Sequence, residues 1–151
     1  MTQVAGSCRC GAVRLAVAGG VRRVVNCHCQ LCRGMNGTAF STYAVVEAAG
    51  LTVVAGRECV AVHAVTATAQ KHWCARCGTP LYNTNPRYAG LAMLYLGILD
   101  GCATLVPAVN IYCSSKLPWV DQLQGAPSFD EGPPPRAEPV RPPAAAGQGD
   151  T

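Results

Sequence analysis

Charge and aromatic side chains are both scarce in this sequence. Asp, Glu, Lys and Arg together make up 13% of 151 residues, and Phe, Trp and Tyr 6%. The net charge of +4 comes from ten Arg and two Lys, scattered singly apart from Arg22-Arg23. There is no basic stripe and no aromatic interleaving, so a dedicated nucleic-acid surface is not expected. A mildly positive chain still suits a small anionic substrate.

Long apolar runs are missing as well. The longest, near Leu91–Leu99, is far too short to span a bilayer. The start, MTQVAGSCRCGAVRL, has no basic residues followed by an apolar stretch, so no export signal is read there. Without export, the oxidising compartment that a disulfide framework needs is absent. The expectation is a cytoplasmic protein with reduced cysteines and no nucleic-acid or membrane partner.

Composition divides the chain near Phe129. Residues 130–151 are rich in Pro, Ala and Gly with one branched apolar side chain, Val140. Such a segment buries too little surface to offset the entropy of ordering, so 130–151 is expected to be a disordered tail. Residues 3–129 are half-apolar and fit one domain. Within them, strand signals dominate: Gly11–Val17, Val21–Asn26, Phe40–Val46, Leu51–Ala55, Val60–Thr68, Leu91–Leu99 and Val109–Cys113. A short helix is expected after Cys29, through Arg33. Trp119 and Phe129 read as core or edge packing residues. The fold class is therefore mainly β.

What the sequence has in abundance is cysteine, ten in all. Spacing sorts seven of them into two groups. Cys8-Arg9-Cys10 and Cys74-Ala75-Arg76-Cys77 are each followed by glycine, and together they offer four thiolates for one tetrahedral zinc. Glycine suits such a knuckle because the loop must turn its N–H groups toward sulfur, often at positive φ. No βαβ pattern surrounds Cys74 and Cys77, which argues against a thioredoxin-like redox pair.

Cys27, Cys29 and Cys32 form the second group, in NCHCQLCRG. Three thiolates with no committed fourth ligand match the open coordination of a catalytic zinc. With three thiolates the ion is a modest Lewis acid that favours an incoming thiol over water. His28 lies between two of the cysteines and is expected to point away from the metal, while Arg33 could temper the negative charge. The residues alone leave open a closed site completed by Cys59, His63, His72, Cys102 or Cys113. Tyr43 and His28 are candidates for proton transfer nearby. Asp100 could lie near the site, although turn formation is the commoner use of such a residue.

The pattern as a whole resembles the glutathione-dependent formaldehyde-activating enzymes and their relatives, which include centromere protein V. The resemblance runs through Gly6–Arg14, Cys27–Arg33, Gly37–Phe40, Trp73–Leu81, Gly97–Asp100, Asn110–Tyr112 and Lys116–Trp119. It implies a β-tent fold of small antiparallel sheets with little helix and two zinc ions. Cys8, Cys10, Cys74 and Cys77 would be the structural ligands, and Cys27, Cys29 and Cys32 the catalytic-type ligands. The implied activity is that of a carbon–sulfur lyase, joining or separating formaldehyde and the thiol of glutathione or another small thiol. The same family also suggests an alternative, a non-enzymatic binding or scaffold domain with two structural zincs. Asn110 stands where relatives frequently carry histidine.

Overall fold

The computed structural model describes residues 4–133, and the chain divides into two compact units at Val120/Asp121. Among the described residues there are ten strands: β1 (Val4–Ser7), β2 (Arg14–Val17), β3 (Arg23–Cys27), β4 (Ser41–Glu47), β5 (Leu51–Ala55), β6 (Val60–Ala64), β7 (Gln70–Cys74), β8 (Pro80–Thr84), β9 (Leu91–Tyr95) and β10 (Val109–Ile111). One α-helix, α1 (Gln30–Asn36), joins β3 to β4, and half of the other strand connections contain short turns of 3-10 helix. The mainly β expectation holds. The expected disordered tail, 130–151, lies outside the described residues from 134 onward. Phe129, in the second unit, is 56% exposed rather than packed.

Two sheets make up the first unit. The smaller has the order β1-β2-β5, and the larger β10-β3-β4-β9-β8-β7-β6. The larger is not small, and its edge pair β10–β3 is parallel, whereas the other pairings are antiparallel. Several strands are shorter than the sequence suggests, because polar loop chemistry ends them early. Val60–Thr68 stops at Ala64, where the Thr66 hydroxyl accepts the N–H groups of Thr68 and Ala69 and closes a hairpin. Gly11–Val17 becomes Arg14–Val17 because residues before it close a loop, with Cys8 N–H on the Val13 carbonyl at 3.0 Å. Strand β8 opens with Pro80, tolerated at a first strand position where its missing N–H breaks no ladder.

The larger sheet separates two interiors. Successive side chains of a strand point to opposite faces. On one face Ala44 and Val46 of β4 and Ala92 and Leu94 of β9 pack with Leu15 and Val17 of the small sheet and with Cys8 and Cys74. On the other, Val25, Cys27, Tyr43 and Tyr95 cluster, with Val45, Met93, Val109 and Ile111 packed against them. Registers align these second-face residues across strands: Ile111 with Cys27, Val25 with Tyr43, and Tyr43 with Tyr95. Strand β4 is buried on both faces for this reason.

Candidate metal centres

Cys8 and Cys74 are buried in the first interior, Cys10 and Cys77 are exposed, and the four sulfurs lie within 4.8 Å of one another. Four thiolates around zinc sit about 3.8 Å apart, given Zn–S bonds near 2.3 Å. The sulfurs of Cys8 and Cys10 are 3.5 Å apart, and those of Cys10 and Cys74 3.9 Å. The donor set and its spacing therefore fit a metal ion. Gly11 and Gly78, just after the two pairs, take φ of 73° and 74°, as the knuckle argument requires. The N–H of Val13 reaches the Cys8 sulfur at 3.2 Å, and the Thr79 hydroxyl lies 3.1 Å from that of Cys77.

Crowding splits these thiols. The hydroxyl and N–H of Thr79, with the main-chain N–H of Cys10, hold Cys77 down to about 5. Cys10 has the N–H of Ala12 on its sulfur, which favours the thiolate, but its neighbours Cys77 and Cys8 prevail and raise it to about 11. Clustered thiols share protons in this way, and a metal ion replaces the shared protons by holding every sulfur as thiolate.

The second interior holds Cys27, Cys29 and Cys32, again with sulfurs within 4.8 Å. Cys27 ends β3, and Cys29 is the N-cap of α1, its sulfur accepting the N–H of Cys32 at 3.2 Å. The helix runs one turn past Arg33 and stops at Gly37, whose N–H meets the Arg33 carbonyl. Cys27 and Cys32 sulfurs are 3.6 Å apart. Hydrogen bonding between them lowers Cys27 and raises Cys32, while burial raises Cys29. Among the described residues, no fourth His, Cys, Asp or Glu joins this set.

The other candidates go elsewhere. His28 is 2% exposed, but its Nε2 lies 3.2 Å from Asn110 Oδ1 and its ring packs on Phe40. Asn110 also takes a hydrogen bond from Asn26, its partner in register. Both asparagines alternate with Ile111 and Cys27, so this polar group lies on the reverse side of the sheet from the cysteines. Arg33 Nη1 donates to the carbonyls of His28 and Ser115, tying α1 to the chain after β10. His63 and His72 lie on β6 and β7 against Trp73 and Tyr82. Asp100 is exposed in a turn, its N–H on the Ala5 carbonyl. Trp119 is 48% exposed beside Leu117 and Arg33, not a core residue.

Tyr43, by contrast, is at the cluster. It is 4% exposed, its hydroxyl faces the Cys32 sulfur, and Asn83 Nδ2 donates to that hydroxyl at 3.2 Å. Burial pushes the Tyr43 phenol up, so it stays neutral and keeps its proton to donate. Behind it, Tyr95 packs edge-on at 5.0 Å and donates to Asn36 Oδ1 at 2.9 Å. Lys71 Nζ donates to the same oxygen at 2.6 Å, and burial lowers its pKa against the opposing pull of Cys32. Lys71 is thus a cation whose field reaches Cys32. Sequence reading missed Lys71 and Asn83, which reach the site only because β7 and β8 extend the same sheet face.

The three cysteines open onto a groove of about 950 Å³. Its floor is the second sheet face, including Val25, Tyr43, Val45 and Met93. Arg22 and Arg23 contribute to its wall, Arg22 being held by Glu47 at 2.6 Å. Tyr112, which also lines it, adopts φ 56°, a conformation that costs a residue with a β-carbon about 1–2 kcal/mol.

Comparison with known proteins agrees with this arrangement. A Halomonas elongata protein, provisionally named a glutathione-dependent formaldehyde-activating enzyme, is 28% identical over 123 residues, covering 77% of this chain and 78% of that one. A crystal structure of a Rhodobacter sphaeroides protein is 26% identical, with a TM-score of 0.56 over 64% of this chain and 88% of that chain. The family model for the glutathione-dependent formaldehyde-activating enzyme matches residues 3–115, a span that holds both cysteine clusters and the groove floor. The chain belongs to the glutathione-dependent formaldehyde-activating enzyme family.

Proposed function

We propose that this protein is a zinc-dependent carbon–sulfur lyase that joins or separates a small thiol and an aldehyde, with glutathione and formaldehyde as the substrate class. One observation carries the reading. A complete four-cysteine set is anchored in the core by Cys8 and Cys74, while a three-cysteine set, without a fourth ligand among the described residues, opens into a large groove. Cys8, Cys10, Cys74 and Cys77 would hold the structural zinc, and Cys27, Cys29 and Cys32 the second. The second ion would supply a modest Lewis acid with an open position, at which an incoming thiol is favoured as thiolate. A scaffold domain would instead close that position with a protein ligand.

The remaining chemistry falls to this chain. As the thiolate attacks the aldehyde carbon, a C–S bond forms and the carbonyl π pair moves onto oxygen. The Tyr43 hydroxyl, fixed by Asn83, donates a hydrogen bond toward that oxygen, which then takes a proton from solvent. Release of the aldehyde reverses these steps. Arg22 and Arg23 line the groove and favour the carboxylates of a glutathione-like thiol. The test is the rate of S-hydroxymethylglutathione formation, followed by exchange NMR with zinc-replete protein. A rate well above the spontaneous reaction supports the proposal, and a rate equal to it overturns the enzymatic reading.

A further inference from the structure

Tyr112 is, among the described residues, the one non-glycine residue with positive φ. Strain of this kind persists where surrounding structure enforces it, and it gathers at binding sites. Core burial does not explain it here, because Tyr112 is 44% exposed. Its hydroxyl instead lies 3.0 Å from that of Tyr88, which is 37% exposed.

The two tyrosines start from opposite flanks of the groove. Tyr112 directly follows β10, at the level where Ile111 pairs with Cys27. Tyr88 ends the 3-10 turn Pro86–Tyr88 between β8 and β9, a turn fixed by Pro86 and by Asn85 Oδ1 accepting the Arg87 N–H at 2.9 Å. Strands β3 and β4 lie between β10 and β9, a width of roughly 14 Å at ordinary strand spacing. Both rings line the same groove as Cys29 and Cys32. The hydroxyl pair therefore bridges the groove from side to side.

We propose that Tyr88 and Tyr112 form a strap across the groove that limits the size of the thiol admitted to Cys29 and Cys32, making them specificity-determining residues. A slender, flexible thiol passes beneath the strap, and a bulky aromatic one is held out. The proposal rests on reading the groove as the thiol site, but its test uses neither glutathione nor formaldehyde, so the two can fail separately.

The experiment compares alkylation of the zinc-replete protein by iodoacetamide and by a pyrene maleimide, with peptide mass spectrometry reading Cys29 and Cys32 individually. Tyr88→Phe and Tyr112→Phe each remove one hydroxyl and keep the ring. In either variant, modification by the maleimide should accelerate about fivefold, the factor that one ordinary hydrogen bond is worth, while iodoacetamide changes less. The double variant should match the single ones, because the pair acts as a unit. Tyr112→Gly relieves the backbone conformation and deletes the ring, so it should melt no lower than the parent yet admit the maleimide at least as fast as the double variant. Equal acceleration for both reagents, additive hydroxyl effects, or a Tyr112→Gly protein as protected as the parent would each overturn the strap. So would a cluster that neither reagent modifies in any variant, since the strap would then not be what limits access.

Discussion

The two cysteine clusters occupy opposite faces of one sheet, and their surroundings differ in kind. Cys8 and Cys74 of the first cluster pack with the fully buried Val13, Leu15, Leu81 and Leu94. Around Cys27, Cys29 and Cys32 lie Tyr43, Tyr95 and Lys71, joined through Asn36 and Asn83, and a groove. One cluster ties chain segments more than sixty residues apart; the other is confined to a six-residue stretch, so it closes no large loop. The alternation of β9 shows how the separation is achieved: Ala92 and Leu94 serve the core, whereas Leu91 and Met93 line the groove. Under the proposed function, stability and chemistry fall to different faces, and that assignment can be broken from either side.

The largest effect is expected at the core cluster. Cys74→Ser removes one of four ligands at a fully buried position. A structural zinc contributes about 10–16 kcal/mol to small zinc domains, while whole domains are stable by only about 5–15 kcal/mol. The variant should therefore lose its cooperative melt by circular dichroism, and chelation of the parent protein should do the same. A folded, metal-depleted protein would show that the apolar core suffices alone. Next in size is Leu94→Ala, which leaves a cavity in a site with no exposure and should cost about 2–5 kcal/mol. Its neighbour Met93 borders the groove, so Met93→Ala should cost about 1 kcal/mol or less in urea titrations and act on substrate KM instead. Equal costs at the two positions would erase the distinction between the faces.

The cysteine motifs and their glycines were legible in the sequence because local geometry decides them. A thiolate pair one or two residues apart, followed by Gly11 or Gly78, needs little long-range information. So was the β character, since short β-branched runs such as Arg23–Cys27 fall between turn residues. The groove was not legible. Its floor is assembled from alternate residues of strands far apart in sequence, and alternation alone cannot say which face of a strand buried on both sides meets the thiols. Nothing local in the sequence singles out Lys71, and only the pairing of β7 with β8 brings it over Tyr95 and onto Asn36. Tyr112 carried no local signal either, since its left-handed backbone is not one that a tyrosine prefers. Size alone does not say whether Trp119 packs in the core or at an edge, and the chain places it half-exposed beside Leu117 and Arg33.

Cys32→Ser probes the other side of the comparison. This cysteine is partly exposed and near the start of a short helix, so the fold should lose only about 1 kcal/mol. Elemental analysis should nevertheless fall from two zinc ions per chain to one, with thiol–aldehyde turnover lost. A collapse of the melt comparable to that of Cys74→Ser would make both clusters structural and favour the scaffold alternative.

Tyr43→Phe should have the smallest effect on the fold and the most informative one on the reaction. The ring keeps its edge-on contact with Tyr95, and Asn83 keeps Tyr95 as a partner, so only one buried hydrogen bond is lost, worth about 1 kcal/mol. If the hydroxyl stabilises charge developing on the aldehyde oxygen, kcat should drop about 100-fold with KM nearly unchanged, the pattern of an interaction made in the transition state. Zinc content should not move, because Tyr43 holds no metal in this scheme. A raised KM with normal kcat would instead make Tyr43 part of the groove floor, like Met93. A lower melting point with full activity would transfer it to the packing side of the sheet, even though its hydroxyl faces Cys32.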